Sequence, residues 1–280
     1  MITDSHCHLG ADRFSEEEVG GIIEAAVAAG VGRMVTLATC LGDVERNLNI
    51  ASNEHVWAGI GIHPCEVHEA PDDAVERLRG YAGDGRVCVI GETGLDYFHE
   101  APAGWVEAEF RKRQRSFLHQ HFELAAEVGL NVVIHTRDRE GCGSFEDALG
   151  IYRKYSDRVR AVFHCFSLGW MEAEKVWAEG GLVSFGGVVT FRNAELIKET
   201  VRRCAKRSFM LETDAPYLAP EPVRGRRNVP EFTMHTARAI AEIRGETLEE
   251  LAGHTEGAVE FFKMNRCDLN KTGDDSRFRG

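Results

Sequence analysis

Histidines and carboxylates stand at the ends of short apolar runs in this chain. The first run ends in His6-Cys7-His8 and the third in Gly61-Ile62-His63-Pro64. The fourth ends in Gly91-Glu92-Thr93-Gly94-Leu95-Asp96 and the fifth in His135-Thr136-Arg137-Asp138. The sixth ends in His164-Cys165-Phe166 and the eighth in Glu212-Thr213-Asp214-Ala215-Pro216. Imidazole and carboxylate are the side chains that hold divalent metals. His6 and His8 are two residues apart, so their rings share a face only on a strand. One strand-end histidine is ordinarily a satisfied structural residue. His6, His8, His135 and His164 together, with Glu92 and Asp214, point instead to a metal centre. His119 and His121 repeat the spacing inside a helical pattern, where residues two apart face different ways, and are expected to be surface polar groups. Cys7 and Cys165 neighbour these histidines. Strand neighbours point to opposite faces, so both thiols are expected to pack between sheet and helices.

These residues need a scaffold that gathers strand ends. Eight apolar or β-branched runs occupy 1–6, 32–39, 56–62, 87–91, 131–135, 160–164, 181–187 and 209–212. Amphipathic helical patterns lie between and after them, over 16–29, 43–52, 73–81, 107–128, 145–155, 171–179, 195–206, 231–244 and 247–264. Gly30, Gly129 and Gly180 follow helical stretches, where glycine can take the left-handed conformation that ends a helix. Strands alternating with helices imply a parallel sheet. Eight such units fit a closed α/β barrel, the (β/α)8 TIM barrel, over 1–264, with an open doubly wound sheet as the alternative. A polar tail is expected over 265–280. In a barrel the strand C-termini open on one face, so the histidines and carboxylates converge there.

Composition removes other classes. The chain has 280 residues, 43% of them hydrophobic, and no run approaches the ~20 apolar residues of a membrane helix. Lys and Arg number 33 against 45 Asp and Glu, a net charge of -12, which disfavours a protein that coats nucleic acid. The start of the chain lacks the basic and apolar regions of an export signal, and none of the eight cysteines has C-x-x-C spacing. A cytoplasmic protein with free thiols is expected. Gly59-x-Gly61 lacks a third glycine, and there is no Walker loop, H-E-x-x-H or G-x-S-x-G motif. Arg111, Lys112, Arg113 and Arg115 are expected to form a solvated helix face.

The blocks Asp4-Ser5-His6-Cys7-His8-Leu9, Gly61-Ile62-His63-Pro64, Ile90-Gly91-Glu92-Thr93-Gly94-Leu95-Asp96, His135-Thr136-Arg137-Asp138, His164-Cys165-Phe166 and Leu211-Glu212-Thr213-Asp214-Ala215-Pro216-Tyr217 together resemble the TatD family. These are metal-dependent hydrolases of the amidohydrolase superfamily that include TatD-type deoxyribonucleases. The resemblance runs from Asp4 to about Phe262. It departs from the family's usual residues at Gly10, Arg139, Val229 and Gly257, none of which is a candidate ligand.

The resemblance implies a (β/α)8 barrel with one or two divalent ions. One ion is held by His6, His8, Glu92 and Asp214, and a second by Glu92, His135 and His164, with Glu92 bridging. Imidazole-rich ligation suits Zn, Mn, Co or Ni, and phosphodiester chemistry often uses Mg. Zinc-like ions are expected on purification, with Mg or Mn supporting turnover. Asp214 and Glu92 are the expected catalytic carboxylates, Asp214 as general base. Glu212, two residues back from Asp214, is expected to support a ligand histidine. His63 and Arg137 are expected to hold substrate phosphate, followed by Arg224 and Asn228, with Arg226 and Arg227 in the same loop. The expected function is a metal-dependent phosphodiesterase or deoxyribonuclease trimming DNA or oligonucleotide ends. A metal-dependent esterase or amidohydrolase, such as an aminoacyl-tRNA deacylase, is the alternative, and a metal-binding barrel without activity a third reading. No membrane or obligate protein partner is implied, and a monomer is expected.

Overall fold

All eight apolar runs form strands in the computed structural model, which describes residues 1–264. The expected tail over 265–280 lies outside the described residues. The strands are β1 (Ile2–Cys7), β2 (Val31–Leu37), β3 (Val56–Ile60), β4 (Val87–Tyr97), β5 (Asn131–Asp138), β6 (Ala161–Phe163), β7 (Leu182–Phe185) and β8 (Phe209–Leu211). They pair in parallel, each with the next in the chain. β1, β3, β4, β6, β7 and β8 are buried at every position, as strands covered on both faces must be. The ring closes just beyond β8. The Asp214 N–H donates to the His6 carbonyl at 2.9 Å, and the His8 N–H donates to the Ala215 carbonyl at 2.7 Å. The eight parallel strands therefore make a (β/α)8 barrel.

The outer layer is α1 (Glu16–Ala29), α2 (Val44–Ile50), α3 (Ala74–Arg79), α4 (Glu107–Val128), α5 (Gly143–Tyr152), α6 (Trp170–Ala178), α7 (Glu195–Arg203), α8 (Thr233–Arg244) and α9 (Leu248–Phe261). Glu18 accepts the Ser15 N–H at 2.8 Å and so holds the start of α1. Gly30 and Gly129 end α1 and α4 with φ of 106° and 70°, as the pattern predicts. None of the described helices is long and apolar enough to cross a membrane.

Two apolar layers result. The larger lies between strands and helices and includes Phe110, Phe117, Phe145, Phe163 and Phe185. The smaller gathers one face of the strands, Val35, Trp57, Val89, Val133, Val162, Leu182 and Met210, with Phe261 and Phe262 at the end of α9. That face carries the chemistry further along each strand.

Candidate metal centre

Side-chain alternation explains why the site forms where it does. On β5, Val133 in the inner apolar layer is followed on the same face by His135. On β6, Val162 is followed by His164. On β8, Met210 is followed by Glu212. On β1, Asp4, His6 and His8 share one face. β4 needs a further device, because Glu92 is out of step with Val89. A register shift against β5 between Ile90 and Thr93 inserts the extra residue that turns Glu92 into the mouth. The fourth strand is consequently longer than the expected 87–91 and runs on to Tyr97.

Six donor side chains converge, and Glu92 divides them. Its Oε2 lies 3.4 Å from His6 Nε2 and 3.3 Å from His8 Nε2. Asp214 Oδ1 is 3.7 and 3.5 Å from the same two nitrogens, which are 3.0 Å apart. Glu92 Oε1 lies 3.0 Å from His135 Nδ1 and 2.7 Å from His164 Nε2, with those nitrogens 3.1 Å apart. Ligand bonds of about 2.0–2.2 Å around a tetrahedral or octahedral ion place neighbouring donors about 3–3.5 Å apart. The spacings in the two groups, 2.7 to 3.7 Å, bracket that range, and one carboxylate oxygen faces each.

Proton placement also fits metal ligation. His8 Nδ1–H donates to the Leu37 carbonyl at 3.0 Å, which leaves the lone pair on Nε2. His135 Nε2 faces Asp96 Oδ2 at 3.2 Å, and His164 Nδ1 faces Glu212 Oε1 at 3.6 Å. The His8 and His135 rings are held from behind by acceptors within hydrogen-bond reach, and Glu212 stands behind His164 just beyond it, so the lone pairs turn towards Glu92, the usual arrangement of a metal-binding histidine. His63 differs. Its Nδ1 accepts the Cys65 N–H at 3.1 Å, so the neutral ring carries its proton on Nε2, 3.6 Å from Glu92 Oε1. His63 is therefore a donor into the site. Burial drives its pKa down to about 3, which keeps it neutral.

The fields agree with a cation site. Burial pushes the Glu92 carboxyl up, but the surrounding histidines, His164 foremost, outweigh it and hold Glu92 well below the carboxylate range. Burial pulls His8 down, but Asp214 and Glu92 raise it well above an ordinary histidine. A site that strengthens the hold of buried imidazole on a proton also attracts a divalent ion.

The centre forms the floor of a cavity of about 1110 Å³. His8, His63, Glu92, His135, His164, Asp214, Arg137 and Arg224 all line it. His6 lies beneath at 1% exposure. Arg137 rests on Phe98 with its guanidinium 4.0 Å from the ring centre, and Arg224 rests on Phe191 at 4.2 Å. Asp214 takes φ 57°, a left-handed conformation that Asp tolerates better than most residues.

Several expectations are corrected. Asn228 is fully buried and does not reach the cavity. Its Nδ2 donates to the Thr213 and Tyr217 carbonyls at 2.8 and 2.6 Å, so it ties down the loop after β8. Arg227 turns away to a two-pronged pair with Glu18, both contacts at 2.7 Å. Cys165 lines the cavity, because φ 47° breaks the strand alternation there. His121 is fully buried. Its Nδ1–H donates to the Phe117 carbonyl at 2.7 Å, and its Nε2 accepts the Ile62 N–H at 3.1 Å. Arg113 is not simply solvated, since it donates to the Val67 and Ala70 carbonyls.

Two carboxylates were given no role from sequence. Asp96 backs His135. Asp4 accepts the Thr213 N–H at 2.9 Å and its hydroxyl at 2.6 Å, fastening the Asp214 segment to β1. Strand period was the available signal: Asp4 precedes His6 by two, and Asp96 follows Glu92 by four.

The profile of the TatD related DNase family matches residues 3–262. This chain belongs to the TatD family. It is 36% identical over 257 residues to the uncharacterized metal-dependent hydrolase YcfH of Escherichia coli, covering 90% of this chain and 91% of that one. It is 31% identical to YabD of Bacillus subtilis, again an uncharacterized metal-dependent hydrolase, over 95% of this chain and all of the relative. The crystal structure of YjjV, a TatD homolog from E. coli, superposes with a TM-score of 0.82 at 26% identity, covering 93% and 97% of the two chains. The TatD-family chain is thus a metal-dependent hydrolase.

Proposed function

We propose that this TatD-family hydrolase is a two-metal phosphodiesterase that trims the ends of DNA or oligonucleotides. The observation that carries the reading is the cationic lining of its mouth. The chain is acidic overall, yet Arg13, Arg137, Arg224 and Arg226 line the cavity, and no ion pair engages any of them among the described residues. All four rest on aromatic rings: Arg13 on Tyr217, Arg137 on Phe98, Arg224 on Phe191 and Arg226 on Phe232. Guanidinium groups placed over rings suit phosphate contact, and Tyr217 and Phe191, which line the cavity, offer faces to unstacked bases.

His6, His8, Glu92 and Asp214 would hold one ion, and Glu92, His135 and His164 the other. Bound there, the ions supply a water of lowered pKa and polarise the phosphoryl oxygens. Asp214, with 14% of its side chain open to the cavity, accepts the proton of the attacking water. His63 Nε2–H and the Arg137 guanidinium donate to the non-bridging oxygens and orient the phosphorus for in-line attack. Glu212, Asp96 and the Leu37 carbonyl keep the rings of His164, His135 and His8 from rotating.

The rival reading, an ester or amide hydrolase, is favoured by the acidic part of the wall. Asp43, Glu66 and Glu100 also face the cavity and repel a long polyanion. End-labelled oligonucleotides digested with Mg, Mn and Zn, beside a panel of chromogenic esters, separate the two. Stepwise shortening supports the phosphodiesterase. Ester turnover without shortening under any metal replaces it with the rival.

A further inference from the structure

A second group of potential ligands stands at the rim of the cavity, outside the six-ligand centre. Cys65 follows β3, Asp96 lies near the end of β4, and His99 lies just beyond it. Cys65 Sγ is 3.6 Å from His99 Nδ1, and His99 Nδ1 is 3.0 Å from Asp96 Oδ2. The three ligand atoms all lie within 4.8 Å of one another. Local structure fixes them. Asp96 Oδ1 accepts the Phe98 and His99 N–H groups, each at 2.9 Å, and this folds the chain back so that His99 faces Asp96. The Cys65 N–H is held by His63 Nδ1, which sets the direction of Sγ.

His99 Nδ1 and the Cys65 thiol both turn towards the Asp96 carboxylate. His99 Nδ1 has either one proton or one lone pair. If it donates to Asp96 it cannot accept from the Cys65 thiol, and if it accepts from Cys65 it repels the carboxylate. A cation at their common focus satisfies all three. Zn–S near 2.3 Å and Zn–N near 2.0 Å at a tetrahedral angle place S and N about 3.5 Å apart, matching the 3.6 Å found.

We propose that Cys65, Asp96 and His99 form a further divalent-cation site, taking a thiophilic ion of the zinc class and leaving one coordination position open to the cavity. A thiolate, imidazole and carboxylate set selects zinc-like ions over Mg or Mn. Three protein ligands and an open fourth position are the arrangement of zinc sites that take up an exogenous oxygen. All three residues line the cavity, so the ion puts positive charge on a wall that also carries Glu66 and Glu100. Binding exchanges the Sγ proton for the ion and releases that proton to solvent.

The inference stands apart from the substrate assigned above, because it is tested with no substrate present. Cobalt(II) is titrated into the metal-free full-length chain. The six donors of the main centre are all nitrogen or oxygen, so a thiolate-to-cobalt charge-transfer band reports the rim site. The band is expected in the unsubstituted chain. It should be lost in Cys65→Ser and in His99→Asn, and kept in Cys165→Ser, which removes the other thiol of the cavity wall. Zinc content should fall by one equivalent in Cys65→Ser while the melting temperature holds. His99 is half-exposed, so its substitution keeps the test open if Cys65→Ser folds poorly. Absence of the band at saturating cobalt, or its survival in Cys65→Ser or His99→Asn, overturns the site.

Discussion

Glu212 Oε1 stands 3.6 Å behind His164 Nδ1, on the opposite side of the ring from Glu92. The same oxygen accepts the Cys165 N–H at 2.7 Å, and Oε2 accepts the Ser184 hydroxyl. Glu212 is therefore anchored to two neighbours and cannot follow the ring if it turns. Glu212→Gln keeps the size but replaces one acceptor oxygen with an NH2 group. We expect metal affinity or turnover to fall by about 10–100-fold, the usual cost of losing a partner that orients a metal-bound histidine. Isothermal titration of zinc into the metal-free variant checks this, and unchanged affinity together with unchanged turnover would rule it out.

Glu92 is the one carboxylate that faces both histidine pairs. Glu92→Ala should cripple both metal sites at once, whereas His135→Ala should spare the pair formed by His6 and His8. Elemental analysis after loading with divalent ions distinguishes them. Two equivalents retained in Glu92→Ala, or full activity there, would sink the bridging role.

Asp214 has only its side chain to lose. Its backbone N–H closes the barrel on the His6 carbonyl at 2.9 Å, and Asp214→Asn leaves that bond in place. Turnover should drop by at least about a hundredfold, in keeping with typical acid–base contributions. The melting temperature should barely move. Near-normal turnover would remove Asp214 as the base, and loss of activity through unfolding would not support it.

His121 gives a pH dependence with a definite sign. Burial holds its pKa down to about 4, against 6.5 for an unperturbed ring. The unfolded chain therefore binds more protons than the folded one between these values. Stability is fully present above 6.5 and falls as the pH drops towards 4, by up to roughly 3 kcal/mol. His121→Gln costs stability at neutral pH, because it disturbs the bonds to Phe117 and Ile62, but should flatten this slope. Denaturant midpoints for both chains between about pH 7.5 and pH 4 test it, with parallel curves as the contrary result.

Much of this was readable from local pattern. Period-two and helical runs locate the eight strands and nine helices of the described residues to within a few residues, apart from the far end of β4. Strand-end histidines mark the candidate ligand set, because alternation places every second side chain in the barrel. What escaped depends on distant partners. The ring of His121 is buried because Ile62, 59 positions away, needs an acceptor, and no spacing within α4 carries that fact. Asn228 is spent on the Thr213 and Tyr217 carbonyls, which come close only once the loop after β8 folds. The length of β4 was missed because Glu92 reaches the mouth through a register shift that breaks the alternation used to find strands. Cys165 was misplaced for the same reason, its positive φ turning it out of step.

On the proposed phosphodiesterase reading, the mouth decides how nucleic acid is held. Among the described residues, only Arg13, Arg137, Arg224 and Arg226 line the cavity as cations beyond histidine, and Arg227 is paired with Glu18. For single strands the logarithm of affinity falls by about 0.7 per neutralised phosphate for each unit of log salt. Two to four contacts give a slope of roughly -1.5 to -3 by that rule, much shallower than a DNA-coating protein. The centre also lies at the floor of a barrel mouth, which on that reading admits a frayed or single-stranded end more readily than a rigid duplex. Linear single-stranded oligonucleotides should therefore shorten from an end, while covalently closed circular duplex resists. Arg137→Ala and Arg224→Ala should each flatten the slope by about 0.7. Fluorescence anisotropy across a salt series measures the slope, and gel analysis of labelled ends measures the cutting. A slope steeper than about -6 would require a basic footprint far larger than these arginines, and efficient cutting of closed circles would show that a free end is not needed.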